Sequence, residues 1–331
     1  MNDKTTVILE KYDIEVLRSW KGRGAILCET KTGIKALREY KGSQARVELQ
    51  HQLLRKIREN GYYNVEEIFP TKEGELLAKD EDGTCYYLKE YREGKECNIK
   101  EYQDCKKAVE QMAVLHQAMK MPEFVKEKEI EPYSVIEEYE KHNKELRHVK
   151  KYLKEKRQKN EFEYYLYQRY GGFLEKAEEV LEAMKRQSCF LTKEVLIENG
   201  SFCHGDLQHH NVIFANEDTF FLNFEKFVLD SPMKDLGLFF RKMMEKNNWS
   251  KELGQFILEN YQSKRKLSEE EKYQLYYRLS YPEKFWKIVN FYYNSPKTWI
   301  PEKNKEKLEK IWVQEEEKTI FLENSYRRWL K

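Results

Sequence analysis

The residues best suited to chemistry lie in one short segment of the chain. The run His204-Gly205-Asp206 is followed, after four further residues, by Asn211. An aspartate in such a loop can accept the proton of a reacting hydroxyl, and an amide oxygen on the same loop can reach a magnesium ion. We expect His204 to brace the loop rather than to react. A strand-like run, 212–214, follows directly and would hold the loop rigid. The segment predicts a catalytic loop for phosphoryl transfer.

The position expected to bind a metal carries an unusual residue. A second strand-like run, 220–222, precedes Asn223, where phosphotransferases carry an aspartate, and Glu225 follows two residues later. An amide brings no negative charge to a hard cation that prefers carboxylates, so this site is predicted to be weakened. Glu225 can compensate, because residues i and i+2 of an extended segment face the same way. The alternative is that Glu225 faces solvent at a strand end. The predicted metal ligands are therefore Asn211, Asn223 and Glu225.

Hydrophobic spacing divides the chain into a β-rich part and a helical part. The predicted strands cover 14–20, 25–29, 34–40, 75–79 and 85–91, and a predicted helix covers 44–59. From Ile99 onward helical spacing dominates, and the charged segment 135–187 predicts a helical hairpin bent at Gly171-Gly172. The fold class is therefore α+β. The predicted domains are a nucleotide-binding-like lobe of residues 1–93 and a helical lobe of residues 94–331, which carries the catalytic loop and the hairpin insert.

Composition excludes several classes of protein. The chain has 331 residues, 40% of them hydrophobic, and a net charge of +2 with acidic and basic residues interleaved. No basic face is evident, so we expect no nucleic-acid partner. No apolar run is long enough to span a membrane, and the N-terminus lacks the apolar core of a signal peptide. Six cysteines without a CxxC pair indicate a reducing compartment, and hence synthesis in the cytoplasm.

At the predicted catalytic loop and the strand pair that follows it, the chain resembles the kinase-like folds of the aminoglycoside phosphotransferase and choline kinase group. Within that group it is most similar to the CotS-type spore coat proteins of endospore-forming bacteria. The stretches that carry this resemblance are 23–25, 87–96, 115–116, 281–290 and 292–295. The resemblance implies a bilobal protein-kinase-like fold with a small antiparallel β lobe and a larger helical lobe. It also implies a location in the spore coat, other coat proteins as partners, and ATP with Mg²⁺ as ligands.

The resemblance further implies which residues would contact a nucleotide. The phosphate-contacting lysine of the family follows a leucine in the third strand, where this chain has Arg38, with Glu48 on the next helix as its natural partner. Arg38 keeps the charge but presents a wide fork instead of a compact ammonium. Lys35 is the other candidate, although it lies on the opposite face of a regular strand. An exposed strand Arg and an exposed helix Glu are the alternative.

Five further residues complete the predicted site. Gly22 and Gly24 would lie over the phosphates as a glycine-rich hairpin, and a plain tight turn is the preferred alternative. Glu90 and Tyr91 match the hinge, whose backbone groups would meet an adenine ring. Asp235, which opens a later helix, is expected to accept backbone N–H bonds from the catalytic loop in a structural role.

Two functions from different classes remain open. In the first, the protein is a coat component whose kinase-like scaffold serves assembly, with phosphotransfer weakened or lost, and Asn223 and Arg38 favour it. In the second, it is an active phosphotransferase that depends on ATP and Mg²⁺ and acts on a hydroxyl of a small molecule or a coat protein. Asp206 would be its base, and the intact Asn211 favours it. We prefer the first.

Overall fold

The computed structural model describes residues 3–187, 192–294 and 302–329. Their fold is mixed α+β, with a small antiparallel sheet and a larger helical part, which confirms the predicted fold class. The described residues pack as two compact units. The first unit runs to Lys120 and includes His204–Phe227, and the second takes the rest. The lobe boundary after residue 93 stays a prediction. In the described residues, packing places the catalytic-loop segment in the first unit.

The elements follow in chain order. Up to residue 118 they are α1 (Asp3–Glu10), β1 (Val16–Gly22), β2 (Ala25–Thr30), β3 (Gly33–Glu39), α2 (Gln44–Glu59), β4 (Ile68–Phe69), β5 (Ala78–Lys79), β6 (Cys85–Glu90), β7 (Lys95–Glu96) and α3 (Tyr102–Ala118). Next come α4 (Pro122–Glu127), α5 (Val135–Glu155), α6 (Glu161–Arg186), α7 (Lys193–Asn199), β8 (Phe202–Cys203), β9 (Val212–Ala215), β10 (Asp218–Phe221) and β11 (Val228–Leu229). The last helices are α8 (Met233–Lys246), α9 (Lys251–Lys264), α10 (Glu269–Ser280), α11 (Glu283–Asn294), α12 (Glu302–Val313) and α13 (Glu315–Trp329).

The main sheet of the first unit fixes which side chains share a face. Its strand order is β1-β2-β3-β6-β4, all antiparallel, with β5 also paired to β6. Arg38 lies opposite Tyr87, and Ala36 lies opposite Lys89. Cross-strand partners and alternate residues of one strand share a face, so Arg38, Tyr87 and Lys89 project from the same side of the sheet.

The other face of this sheet carries the small core of the first unit. Leu37 and Leu88, which alternate with the residues above, pack there with Ile8, Leu9 and Tyr12 around the first helix. Each of these apolar side chains stabilises the fold by roughly 1.5–3 kcal/mol when fully buried.

Helix α1 was not predicted, nor were the two-residue strands β4 and β7. The predicted strand 75–79 is reduced to β5.

The second unit contains the predicted helical hairpin, but its turn lies elsewhere. Helix α5 ends at Glu155 and α6 begins at Glu161, so the bend at Gly171-Gly172 was wrong and both glycines lie inside α6. The reason is a capping box: Asn160 accepts the Glu163 N–H at 2.9 Å, and Glu163 accepts the Asn160 N–H at 3.0 Å.

In the part of the chain that the structure describes, no helix has the length and apolarity needed to cross a bilayer.

Candidate functional site

The predicted catalytic loop is built around a buried histidine. The His204 ring Nε2 donates to the Leu222 carbonyl at 2.8 Å, and its Nδ1 accepts the Asp206 backbone N–H at 3.2 Å. Gly205 between them has φ +80°, and a Cβ there would lie 1.9 Å from the Lys226 carbonyl oxygen. Glycine is therefore required at this turn for both its conformation and its size. His204 thus joins the loop to the end of the following strand pair, and its bracing role stays a prediction.

Asp206 is half-buried and already holds partners. Its Oδ2 accepts from Lys226 Nζ at 2.9 Å, and its Oδ1 accepts from Gln208 Nε2 at 2.5 Å. Burial acts to raise the pKa of Asp206, but these two hydrogen bonds outweigh it and the pKa is lowered. The carboxylate is thus ionised at neutral pH. It is also a weaker proton acceptor than a free aspartate, because Lys226 stabilises its charged form.

Asn211 and Asn223 are joined through their side-chain amides. Asn211 Nδ2 donates to the Asp206 carbonyl at 2.8 Å, and Asn211 Oδ1 accepts from Asn223 Nδ2 at 2.7 Å. Asn223 adopts a left-handed conformation with φ +71°, which asparagine tolerates better than most residues. The predicted juxtaposition of Asp206, Asn211 and Asn223 is therefore present. The amide N–H of Asn223, however, is donated to the oxygen of Asn211, one of the three predicted metal ligands.

Two positive side chains occupy the other end of Asn223. Its Oδ1 accepts from Arg38 Nη1 at 2.6 Å and from Lys89 Nζ at 2.8 Å. Lys89 is only 4% exposed and pairs with Glu66, which is fully buried, at 2.7 Å. Glu66 in turn accepts the backbone N–H groups of Asn223 and Phe224, both at 2.9 Å. A buried ion pair therefore holds the turn that carries Asn223.

Glu225 joins the same cluster. Its Oε1 accepts from the Tyr87 hydroxyl and from Lys89 Nζ, the latter at 3.1 Å, and lies 3.5 Å from Arg38 Nη1. Burial acts to raise the pKa of Glu225, but the Lys89 charge and the Tyr87 hydrogen bond outweigh it and lower the pKa to about 2. The alternative that Glu225 simply faces solvent is excluded by these contacts. Arg46, at the start of α2, anchors the segment by donating to the Glu225 carbonyl at 3.2 Å.

A divalent cation does not fit this donor set. The oxygens of Asn211 and Asn223 already accept internal N–H groups, and Arg38 and Lys89 bring two positive charges to the Asn223 oxygen. Mg²⁺ prefers charged or carbonyl oxygens with open lone pairs, in an arrangement near an octahedron. Across residues 3–187, 192–294 and 302–329, no group of three or more His, Cys, Asp or Glu side chains is arranged to hold a metal. The predicted metal site is thus filled by the protein's own cations.

A nucleotide fits the cleft beside this cluster. The cleft has a volume of about 670 Å³, within the range of small-molecule sites. Its apolar walls come from Leu27, Ala36, Ile213 and Leu222, and Arg38 lies at its polar side. Apolar side chains can pack against the faces of a planar base, and a guanidinium can donate to phosphate oxygens. All of these groups belong to the first unit.

Comparison with known proteins bears on the family. Residues 5–325 match the family described as "Spore coat putative kinase YutH". The chain belongs to this spore coat family. The predicted resemblance and the predicted spore coat assignment are thereby confirmed. A relative in Bacillus subtilis (strain 168), Spore coat protein S, is 30% identical over 134 residues, which are 40% of this chain and 38% of that relative. The match therefore spans well under half of that relative's length.

Solved structures show that this spore coat protein has a phosphotransferase fold. An aminoglycoside phosphotransferase from Alicyclobacillus acidocaldarius subsp. acidocaldarius DSM 446 superimposes with a TM-score of 0.84 at 18% identity, over 98% of this chain and 96% of that one. Spectinomycin phosphotransferase, solved with ADP and spectinomycin, gives a TM-score of 0.61 at 14% identity, over 94% and 92%. At these identities the similarity shows the fold alone.

Two predicted nucleotide contacts of the spore coat protein lie away from the cleft. The Lys35 ammonium lies 4.1 Å from the centre of the Phe69 ring, on the sheet face opposite Arg38, because strand residues alternate between faces. Glu48 is exposed and accepts from Gln44 at 2.8 Å, so the expected pair with Arg38 is corrected: Arg38 contacts Asn223 and Glu225 instead.

The remaining predicted residues have simple placements. Gly24, with φ +67°, and Gly22 belong to the β1–β2 turn, which supports a tight hairpin. Glu90 and Tyr91 line the cleft, but their backbone N–H groups donate to the carbonyls of Glu67 and Ile34. Asp235 is fully buried in the first turn of α8, in the second unit, and its bracing role stays a prediction.

Sequence reasoning missed Lys89, one of the two cations at the metal position, and its buried partner Glu66. Lys89 and Glu66 are separated by 23 residues and are buried together, and each alone resembles an ordinary surface charge. Alternation along β6 places Lys89 on the face of Arg38, which is the one signal that could have found it. Its burial depends on Glu66, and no local pattern reveals that pairing.

Proposed function

We propose that this protein is a structural component of the spore coat whose kinase-like fold serves coat assembly, with phosphotransfer weakened or lost. One observation carries the proposal: Arg38 and Lys89 both donate to the Asn223 oxygen, at the position where a metal-binding carboxylate is expected. The family assignment supports the coat role, and we infer that other coat proteins are its partners.

The energetic argument concerns charge at a single position. Asn223 lacks the negative charge that a divalent cation needs, and the carboxylates of Glu66 and Glu225 are already balanced by Lys89 and Arg38. A pair of unit charges about 4 Å apart interacts with roughly 4 kcal/mol at an effective dielectric constant of 20. Each loss of about 1.4 kcal/mol in transition-state stabilisation lowers the rate tenfold. A loss of this full size would reduce phosphotransfer by roughly a thousandfold, and half of it by roughly thirtyfold.

The cleft supports nucleotide binding as part of the same proposal. Its volume and apolar walls suit a base, and Arg38 suits phosphate oxygens. Spectinomycin phosphotransferase, which shares the fold, was solved with ADP. We therefore propose that the spore coat protein binds a nucleotide without turning it over efficiently.

An active phosphotransferase is the second candidate, and Asp206 is the observation that favours it. The side chain is ionised, lines the cleft, and is held by a loop with the spacing of a catalytic loop. An acceptor hydroxyl, on a small molecule or a coat protein, would have to displace Lys226 from Asp206 to lose its proton there.

Replacement of Asp206 by Asn in a sporulating strain separates the two functions. The variant keeps the shape of the side chain and removes its ability to accept a proton. We expect spores that carry Asp206→Asn to match wild-type spores in coat protein composition and in resistance to lysozyme, while spores that lack the protein differ. Equal amounts of variant and wild-type protein, measured by immunoblot, are the control. If Asp206→Asn spores resemble those that lack the protein, the phosphotransferase is the correct function.

A further inference from the structure

We infer that the cleft of the first unit binds the polyphosphate of a nucleotide without a divalent cation, with the Arg38 guanidinium as the resident positive charge. The inference rests on the nucleotide binding proposed above and specifies how the phosphates are held. It follows from the misfit between the cluster around Asn223 and a divalent cation.

Arg38 is fixed in place at one end and open at the other. Its Nη1 donates to the Asn223 oxygen at 2.6 Å and lies 3.5 Å from Glu225 Oε1. Its side chain is still 31% exposed and lines the cleft. Arginine has five N–H donors in a planar fork, so one used nitrogen leaves donors for phosphate oxygens. The guanidinium is thus held ready to bind an anion without first being ordered.

The free end of Arg38 is directed toward the β1–β2 turn. Its Nη2 lies 3.8 Å from the position that a Cβ on Gly24 would occupy. The residues on either side of that glycine, Arg23 and Ala25, both line the cleft. A phosphate between this turn and Arg38 would therefore meet the guanidinium directly. A second arginine on the turn adds to the positive charge at that place.

Lys89 is held at the Asn223 oxygen by buried charge pairs. Its ammonium is 4% exposed and lies within 3.1 Å of oxygens of Glu66, Asn223 and Glu225. Removing either partner of a buried charge pair is strongly unfavourable, so Lys89 does not leave when a ligand arrives. The two cations and the carboxylates of Glu66 and Glu225 sum to zero charge. Within this cluster no negative charge is left over to recruit a divalent cation, and the carboxylate of Asp206, which also lines the cleft, is paired with Lys226.

Calorimetric titration of the full chain with ADP tests the inference without any substitution. ADP is added once with Mg²⁺ in the buffer and once with EDTA in its place. We expect the two Kd values to agree within about twofold, since Arg38 supplies the charge in both buffers.

Two matched variants test the part assigned to Arg38. Arg38→Gln should weaken ADP binding about tenfold in both buffers, the usual effect of losing a charge-assisted hydrogen bond. Arg18→Gln is the control, because Arg18 is an exposed arginine of β1 that also pairs with a glutamate, Glu29. The control should bind ADP as wild type does. Thermal melts of both variants show that each is folded before titration.

Each other result has a definite meaning. Binding of ADP only with Mg²⁺ overturns the inference and leaves the proposed nucleotide binding intact. Equal affinities for Arg38→Gln and Arg18→Gln overturn the role of Arg38. No binding in either buffer overturns the nucleotide binding of the proposed function, and this inference with it.

Discussion

Asn223 controls the metal position through both ends of its amide. Its oxygen accepts from Arg38 and Lys89, and its nitrogen donates to the Asn211 oxygen at 2.7 Å. In Asn223→Asp, a carboxylate oxygen would face the Asn211 oxygen with no proton between them. A cation placed there would relieve the repulsion and gain two oxygen ligands.

We therefore predict that Asn223→Asp gains a response to Mg²⁺ that wild type lacks. A ligand at ten times its Kd stabilises the native state by about 1.4 kcal/mol, which raises the Tm by a few degrees. Thermal melts with and without Mg²⁺ measure this. Asn216→Asp is the control, because Asn216 is also an asparagine with positive φ, at +55°, but lies in an exposed turn. A wild-type protein that responds as strongly as Asn223→Asp would contradict the explanation.

Glu225 should give the stability of the protein a particular dependence on pH. Its pKa is about 2 in the folded protein against an ordinary value of 4.5. The ionised form is thus favoured by folding, and its contribution is present above about pH 4.5 and lost as the pH falls towards about 2. We expect Glu225→Gln to lower the free energy of unfolding by about 2 kcal/mol at neutral pH.

Urea unfolding at neutral pH and at about pH 3 measures the effect of Glu225→Gln, and the difference from wild type should shrink by more than half at the lower pH. Glu178→Gln is the control, because Glu178 pairs with Arg147 where both side chains are largely exposed. Such a surface pair contributes less than about 1 kcal/mol. A deficit of Glu225→Gln that is the same at both pH values would argue against an ionised Glu225 in the cluster.

At the scale of elements, the two glycines of α6 provide a direct test of the hairpin. Gly172 is exposed, and a Cβ placed on it would meet nothing within 4 Å. Alanine is favoured over glycine in a helix interior by about 0.5–1 kcal/mol. We predict that Gly172→Ala raises the free energy of unfolding by about that amount, measured by urea unfolding. A bend at this position would instead make the substitution destabilising.

The sequence predicted the elements whose ends are marked locally. Helix α2 was predicted because Asn60-Gly61 ends a run of helical spacing, and β2 and β3 are separated by a glycine turn. Helix α1 is short, and the two-residue strands β4 and β7 are defined only by distant partners. The hairpin was misplaced because glycine was given more weight than the Asn160 capping box.

The distinction between locally marked features and features set by distant partners also explains which residues of the candidate site were predicted. Asp206, Asn211 and Asn223 were predicted together because they lie on one loop and the hairpin that follows it. The cations were predicted less well because their positions depend on packing. Arg38 was expected to pair with Glu48 and pairs elsewhere, and Lys89 becomes visible only when Glu66 is brought to it. Buried charge pairs leave little trace in local sequence.

For the whole molecule, the kinase-like fold does not by itself establish kinase chemistry. The chain keeps the architecture of an aminoglycoside phosphotransferase over 98% of its length at 18% identity, and it belongs to a spore coat family. A fold can host many functions, so the function must be argued from the site. Here the position expected to hold a metal contains an amide, an ammonium and a guanidinium.

The most direct test of lost phosphotransfer is a single-turnover reaction with ATP labelled at the γ-phosphate. Wild type and Asp206→Asn, each in excess over ATP with Mg²⁺, are incubated with an extract of spore coat proteins, and label is followed in free phosphate and on protein. We predict that wild type and Asp206→Asn give the same traces as extract alone. Transfer of label by wild type that Asp206→Asn abolishes would contradict the proposal and establish an active phosphotransferase.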